Sequence, residues 1–262
     1  MSAIAELLGR TLVVVAHPDD EVIGCGALLQ RMTEPVVVFC TDGAPRQAQW
    51  WQRYGSREAY SQLRRGEARE ALSHVGVSKF EFLSDASGQS FVDQELFKRI
   101  PEVIAALHQL IDRYHPQALL TQAYEGGHPD HDTCCFVTSI VAQEAAIPAW
   151  EMPLYHRDEH GNGIRQQFVQ SSSDIVELPA SAAEVERKHR MFEAYESQGN
   201  IASAFDARVE RVRPLYRYDF TQPPHKGKLN YEIWCWEMTG REVADAFTQY
   251  LNVGKTKTAI ST

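Results

Sequence analysis

The sequence has no run approaching about 18 consecutive apolar residues, so nothing in it reads as a membrane span. Basic residues are scarce: 26 Lys and Arg stand against 35 Asp and Glu, a formal net charge of −9. A nucleic-acid surface would be basic, and no Lys/Arg cluster stands out to supply one. The same acidity disfavours an anionic membrane as partner. Cysteine is sparse. Cys25, Cys40, Cys134, Cys135 and Cys235 make an odd count with no CxxC pair, which excludes a disulfide framework and suits reduced thiols in a cytoplasmic protein. The opening MSAIAELLGR carries Glu6 and lacks both the basic start and the apolar core of a signal peptide. There is no repeat, no low-complexity tract and no clean domain boundary.

What is present is enough for a substantial core: 262 residues, 44% of them hydrophobic. Thr11–Val15 and Pro35–Cys40 are short, Val-rich and apolar on both faces, as central strands of a parallel sheet are. Val22–Met32 reads as the crossover helix between them. Ser56 caps a helix running to about His74. Lys79–Leu83 and Gln117–Gln122 read as further strands, Ser84–Ser90 as loop. Asp93 caps a helix from Gln94 to about Tyr114, with Pro101 in an early turn. A helix from about Asp130 to Ala145 follows. The expected fold class is therefore α/β: Rossmann-like, a mainly parallel doubly wound sheet with helices on both faces and a smaller C-terminal extension. We expect a single domain, residues 1–150 forming the core and 151–262 completing a cleft. In that last part Phe168–Leu178 contains a strand, Ser181 with Glu184 forms a capping box, Tyr231–Met238 reads as a last strand and Glu242–Leu251 as a last helix.

The polar clusters fall just after predicted strands. His17, Asp19, Asp20 and Glu21 follow the first, Thr41–Gly43 the second, and Glu125–Asp132 the fourth. Ligands of open parallel sheets bind outside the carboxyl ends of the strands, so these segments are expected to share a cleft. One imidazole and three carboxylates in five residues are too much charge for a buried turn unless something cationic sits there. His17 and Asp20 are three apart, as are His128 and His131, with Asp130 between. Two imidazoles and one carboxylate make a common catalytic zinc set. A neighbouring carboxylate that is not a ligand, such as Asp19, can take a proton. Taken alone, an HPDD turn could equally be a helix cap.

Ala16–Glu21 (AHPDDE) followed by GCGALL, with His128–His131 (HPDH), resembles the LmbE-like (PIG-L) zinc-dependent N-deacetylases. Thr41–Gly43, the helix LRRGEAREALSHVGV and the segment KHRMFEAYESQ support the resemblance, which covers about Leu12–Gln198. It implies that His17, Asp20 and His131 bind one Zn2+ per chain, another divalent metal being possible. It implies that Asp19 is the general base, and that a protonated His128 stabilises the oxyanion near the leaving amine. Asp130 would orient or charge-balance His128, and Arg64 would contact substrate hydroxyls or phosphate. Asp42 either binds a sugar hydroxyl or shapes its turn. The implied partner is a small amino-sugar conjugate of the N-acetylglucosamine type; a homo-oligomer is possible.

One departure stands out. Some members carry a tyrosine two residues before the histidine of HPDH; here that position is Gly126, with Tyr124 further back. Glu21 reads as a helix-start charge. Trp50, Trp51 and Tyr54 read as a loop packed on its own domain, although they could stack on sugars, and the loop around His225 could cover the cleft. Alternative readings of the metal site are a metal-dependent phosphoesterase, which usually needs more ligands for its two ions, an amidase acting on a different conjugate, or a binding module with a vestigial site.

Overall fold

Thr11–Val15 (β1) is buried at all five positions, as its β-branched run predicts. It lies between Val36–Phe39 (β2) and Ala118–Gln122 (β4), parallel to both, with Val13 opposite Val37 on one side and Leu120 on the other. Phe80–Phe82 (β3) pairs in parallel with β2, and Ala149–Met152 (β5) with β4. Tyr155–Arg157 (β6) and Gly163–Arg165 (β7) form a separate antiparallel pair. Val176–Pro179 (β8) and Val209–Pro214 (β9) extend the main sheet antiparallel beyond β5, giving the order β3-β2-β1-β4-β5-β9-β8. The computed structural model describes residues 4–199 and 204–260.

Alternate side chains of β1 feed two cores. Val13 and Val15 pack under Asp20–Cys25 (α1), Arg57–Ser73 (α2) and Ala182–Ala194 (α6). Leu12 and Val14 pack under Ile100–Tyr114 (α4), Pro129–Ala145 (α5) and Gly240–Ile260 (α8). Helices thus cover both faces of a mostly parallel sheet, the expected fold class. Strand order reverses between β1 and β4, and the crevice at such a switch point is where ligands of this architecture sit. Among the described residues no helix is long and apolar enough to cross a membrane.

Ser56 caps α2 by accepting from the Ala59 N–H, and Ser181 with Glu184 forms the full capping box of α6. Other elements differ from the sequence expectation, each for a physical reason. The helix expected to reach Met32 stops at Cys25, and a 3-10 turn follows at Leu28–Gln30. The Glu210 carboxylate accepts the Ala27 and Leu28 N–H groups at 2.7 and 2.8 Å, capturing backbone donors. The segment expected as loop after β3 begins with a short helix, Leu83–Ser87 (α3), closed by Gly88 at φ 69°. Asp93 caps no helix: a 3-10 turn at Leu96–Arg99 comes first and α4 starts at Ile100 with Pro101 in its first turn. The last expected strand is instead a single helical turn, Asn230–Ile233 (α7), with Trp234 and Trp236 beyond it. The alternation of YEIWCWEM mimics a strand because Trp234 and Trp236 both face a cleft.

Candidate metal centre

The end of β1 delivers His17 and then a turn in which Asp19 adopts φ 117°, a conformation L residues rarely take. Its neighbours hold it there. The Asp19 carbonyl accepts the Val22 and Ile23 N–H groups at 3.1 Å, and its own N–H donates to Glu21 Oε2 at 3.0 Å. Asp20 Oδ2 accepts the His17 N–H at 2.7 Å and Gln122 Nε2 of β4 at 2.8 Å, which ties the turn to the neighbouring strand. On that strand's far side His128 caps α5, its Nδ1 accepting the Asp130 N–H at 3.1 Å, so His131 falls on the first turn. The approach is close: a Cβ on Gly127 would sit 1.9 Å from the Tyr155 carbonyl oxygen.

The two motifs meet. Asp20 lies between two rings, Oδ2 3.3 Å from His17 Nδ1 and Oδ1 3.1 Å from His131 Nε2. The second contact is too poorly aligned to be a hydrogen bond, and both ring nitrogens of the fully buried His131 lack a hydrogen-bond partner. Buried polar atoms are rarely left so. Ligand atoms of His17, His128 and His131 all lie within 4.8 Å of one another, as do those of His17, Asp93, His128 and Asp130. Nitrogen and carboxylate donors in this array suit a divalent cation. Burial opposes a charged His17, but the carboxylates of Asp93, Asp20 and Asp130 overcome it and hold the ring well above its ordinary pKa. Burial likewise opposes a charged Asp20, and His131 and His17 pull its carboxyl well below the usual range.

Asp130 reaches His128 through its backbone N–H, and its carboxylate faces His17. Its Oδ2 sits 3.1 Å from His17 Nε2 but 3.9 Å from His128 Nδ1, and it accepts the Gln94 and Leu96 N–H groups at 2.6 and 3.0 Å. It aligns His17 and anchors the segment after β3. The carboxylate that faces His128 is Asp93, whose Oδ1 lies 3.4 Å from His128 Nε2 and 3.2 Å from His17 Nε2. Asp42 is not among the cleft-lining residues: Arg57 takes its Oδ2 at 2.5 Å, and its Oδ1 accepts the Ala44 and Asp93 N–H groups. It shapes its turn.

Arg64 lines the cleft, yet its guanidinium donates to the Gly43 and Pro18 carbonyls and lies 3.2 Å from Asp19 Oδ2. Tyr124 points away, its hydroxyl donating to the Gln222 carbonyl at 2.8 Å. Gly126 sits at φ 73°, and a Cβ there would press on Leu229 Cδ2 at 2.5 Å, so a tyrosine at this position would be strained. Tyr155 faces the centre, with its ring 5.3 Å from that of His131.

Glu21 is more than a helix-start charge. It is fully buried, accepts the Tyr195 hydroxyl, and holds the Asp19 N–H. Burial pushes it up to about 8. Burial also raises Asp19 to about 7, with Arg64 pulling in the opposite direction. His128 is held down to about 4 by burial and by the adjacent His17. The resemblance implies a doubly protonated His128; burial and a positive His17 both oppose that charge. Sequence reasoning missed Asp93, Tyr155, Trp234 and Trp236. All four line the same cleft.

Comparison with known proteins places these features in context. A family described as PIG-L, GlcNAc-PI de-N-acetylase, matches residues 12–142. The probable N-acetyl-alpha-D-glucosaminyl L-malate deacetylase 2 of Bacillus cereus is 28% identical over 153 residues, 56% of this chain and 66% of the relative. The 1D-myo-inositol 2-acetamido-2-deoxy-alpha-D-glucopyranoside deacetylase of Mycolicibacterium gilvum is 30% identical over 190 residues, 63% of this chain and 64% of the relative. The chain thus spans slightly less than two thirds of the length of these curated relatives. Among solved structures, a deacetylase triple mutant from the teicoplanin biosynthetic pathway superposes with a TM-score of 0.62 at 20% identity, covering 80% of this chain and 99% of the other. The N,N'-diacetylchitobiose deacetylase from Pyrococcus horikoshii gives 0.52 at 18% identity, covering 78% and 82%. These two share the fold.

Proposed function

The chain belongs to the PIG-L family of GlcNAc-PI de-N-acetylases, and on that premise we propose that it is a metal-dependent hydrolase removing the acetyl group from an N-acetylated amino-sugar conjugate. His17, Asp20 and His131 would hold one divalent ion, zinc being the ion this donor set most commonly takes. The observation that carries the reading is His131: fully buried, both ring nitrogens unpartnered, and facing a carboxylate shared with His17. When bound, such an ion supplies Lewis acidity, polarising an amide carbonyl and making water acidic near neutral pH.

The chain's own residues do the rest. Asp19 takes the proton of the attacking water; a carboxyl raised towards 7 is well matched to that task. The same carboxyl then returns the proton to the departing amine. His128 is neutral, with Nδ1 accepting from the Asp130 N–H, so Nε2 carries the hydrogen and donates to the developing oxyanion. The Asp130 N–H orients that ring, its carboxylate aligns His17, and Arg64 holds the Asp19 carboxylate. Acetate release from N-acetylglucosamine conjugates tests the proposal. Stripping the protein with a chelator should abolish release, and zinc should restore it. Undiminished release from a verified metal-free sample overturns the mechanism.

A further inference from the structure

The cleft in front of the metal centre is small and aromatic. Its volume is about 230 Å³, below the roughly 300–1,000 Å³ of drug-sized ligand pockets. That is room for one ring unit, so whatever a sugar carries must lie against the mouth. Trp236 meets His128 edge-on with ring centroids 4.9 Å apart, and Trp234 lies 5.1 Å from Trp236. Tyr155 bridges the two ends, 5.3 Å from His131 and 6.4 Å from Trp234. Aromatic rings therefore run without a break from the centre to the surface. Trp50, from the segment after β2, lines the same cleft. Trp50 and Trp234 are 43% and 44% exposed, so each leaves much of an indole in water at this opening.

Charge is arranged the other way. Among the described residues lining the cleft, Arg64 is the one Lys or Arg, and Gly43, Pro18 and Asp19 occupy its guanidinium. In the segment that carries Trp50, Arg46 and Arg57 are paired with Glu95 and Asp42, while Arg53 donates to the Ser197 carbonyl and lies over the Tyr54 ring. Asp19, Asp20 and Asp93 contribute carboxylates to the lining. A phosphate or carboxylate beyond the sugar would lie against an aromatic mouth, whereas a neutral ring or chain would cover the two exposed indoles.

We infer that the group attached to the amino sugar is neutral and apolar, an aryl or alkyl aglycone held by Trp50 and Trp234, and that phosphate- and carboxylate-bearing conjugates are poor ligands. The inference rests on the deacetylase reading for the sugar and on the cleft for the aglycone. It assigns Trp50 and Trp234 as specificity residues.

The test uses the metal-loaded protein with both anomers of phenyl N-acetylglucosaminide, free N-acetylglucosamine and N-acetylglucosamine 1-phosphate. The better phenyl anomer should show a KM about 3- to 10-fold below that of free sugar, the scale of one aromatic contact, and the phosphate a higher KM. Trp234→Ala and Trp50→Ala should each raise the phenyl KM by a similar factor while kcat moves less than about twofold, collapsing the preference. Equal efficiency on the phosphate, or a preference that survives both substitutions, overturns the inference. Calorimetric binding of phenyl glucosides and glucose 1-phosphate, which carry no amide to cleave, separates it from the reaction. If no sugar is deacetylated the deacetylase reading fails. Tighter phenyl binding, lost in Trp234→Ala, still upholds the aglycone assignment, and tighter phosphate binding refutes it.

Discussion

Asp19 carries an unusual number of constraints for one side chain: a backbone φ of 117°, a buried carboxyl raised to about 7, and a guanidinium 3.2 Å away. A base works ionised, so kcat/KM should fall as pH drops through its pKa. The acid limb is expected at or below about 7, because a cation beside Asp19 lowers it further. Arg64 opposes the rise, so Arg64→Met should move that limb up by about one pH unit; a limb that stays put would assign it to another group. Glu21 makes a second prediction. Glu21→Ala leaves the Asp19 N–H and the Tyr195 hydroxyl unpaired in the interior, a loss of about 1–3 kcal/mol per group, while Glu21→Gln keeps an acceptor. Thermal unfolding should rank wild type and Glu21→Gln well above Glu21→Ala, and turnover should follow the same order. The histidine–carboxylate motifs were legible in the sequence because three-residue spacing is a local property. Asp93 and the true setting of Glu21 were not. An aspartate before Gln-Glu-Leu reads as a helix cap, and Glu21 meets its partner Tyr195 across 174 residues.

Elements bring these residues to bear. The Val-rich strands were legible because continuous apolar runs bounded by turns admit few alternatives, and the long helices because Ser56 and the Ser181–Glu184 box mark their starts. The short pieces were not legible, since tertiary contacts decide them. The end of α1 is set by Glu210 of β9, which accepts the Ala27 and Leu28 N–H groups and pairs with the buried Lys188 at 2.6 Å. Lys188→Met would leave that carboxylate without its counter-ion and should cost about 3–5 kcal/mol in denaturant unfolding, a loss far below 1 kcal/mol contradicting the assigned role. At the other half of the site, Gly127→Ala forces a Cβ into the Tyr155 carbonyl at 1.9 Å, so the His128–His131 turn must move. Its expected signature is weaker metal binding together with lower stability.

The whole molecule places both motifs at the point where the sheet reverses its winding, and this was readable from the alternation of strands and helices. The aromatic half of the cleft was not, because residues 150–240 alternate without regular periodicity and Trp234 and Trp236 imitate a strand. An ion held by His17 and Asp20 of one segment and His131 of another would tie the start of α1 to the start of α5. Removing it should therefore lower the unfolding temperature, in proportion to the binding energy lost. The central claim is one ion at His17, Asp20 and His131 with Asp19 as the base beside it. Metal stoichiometry and acetate release, measured on the same samples of wild type, Asp19→Asn and His131→Ala, test it most directly. The account predicts one ion and turnover in wild type, one ion without turnover in Asp19→Asn, and neither in His131→Ala. Turnover persisting in Asp19→Asn, or a full complement of metal in His131→Ala, would contradict it.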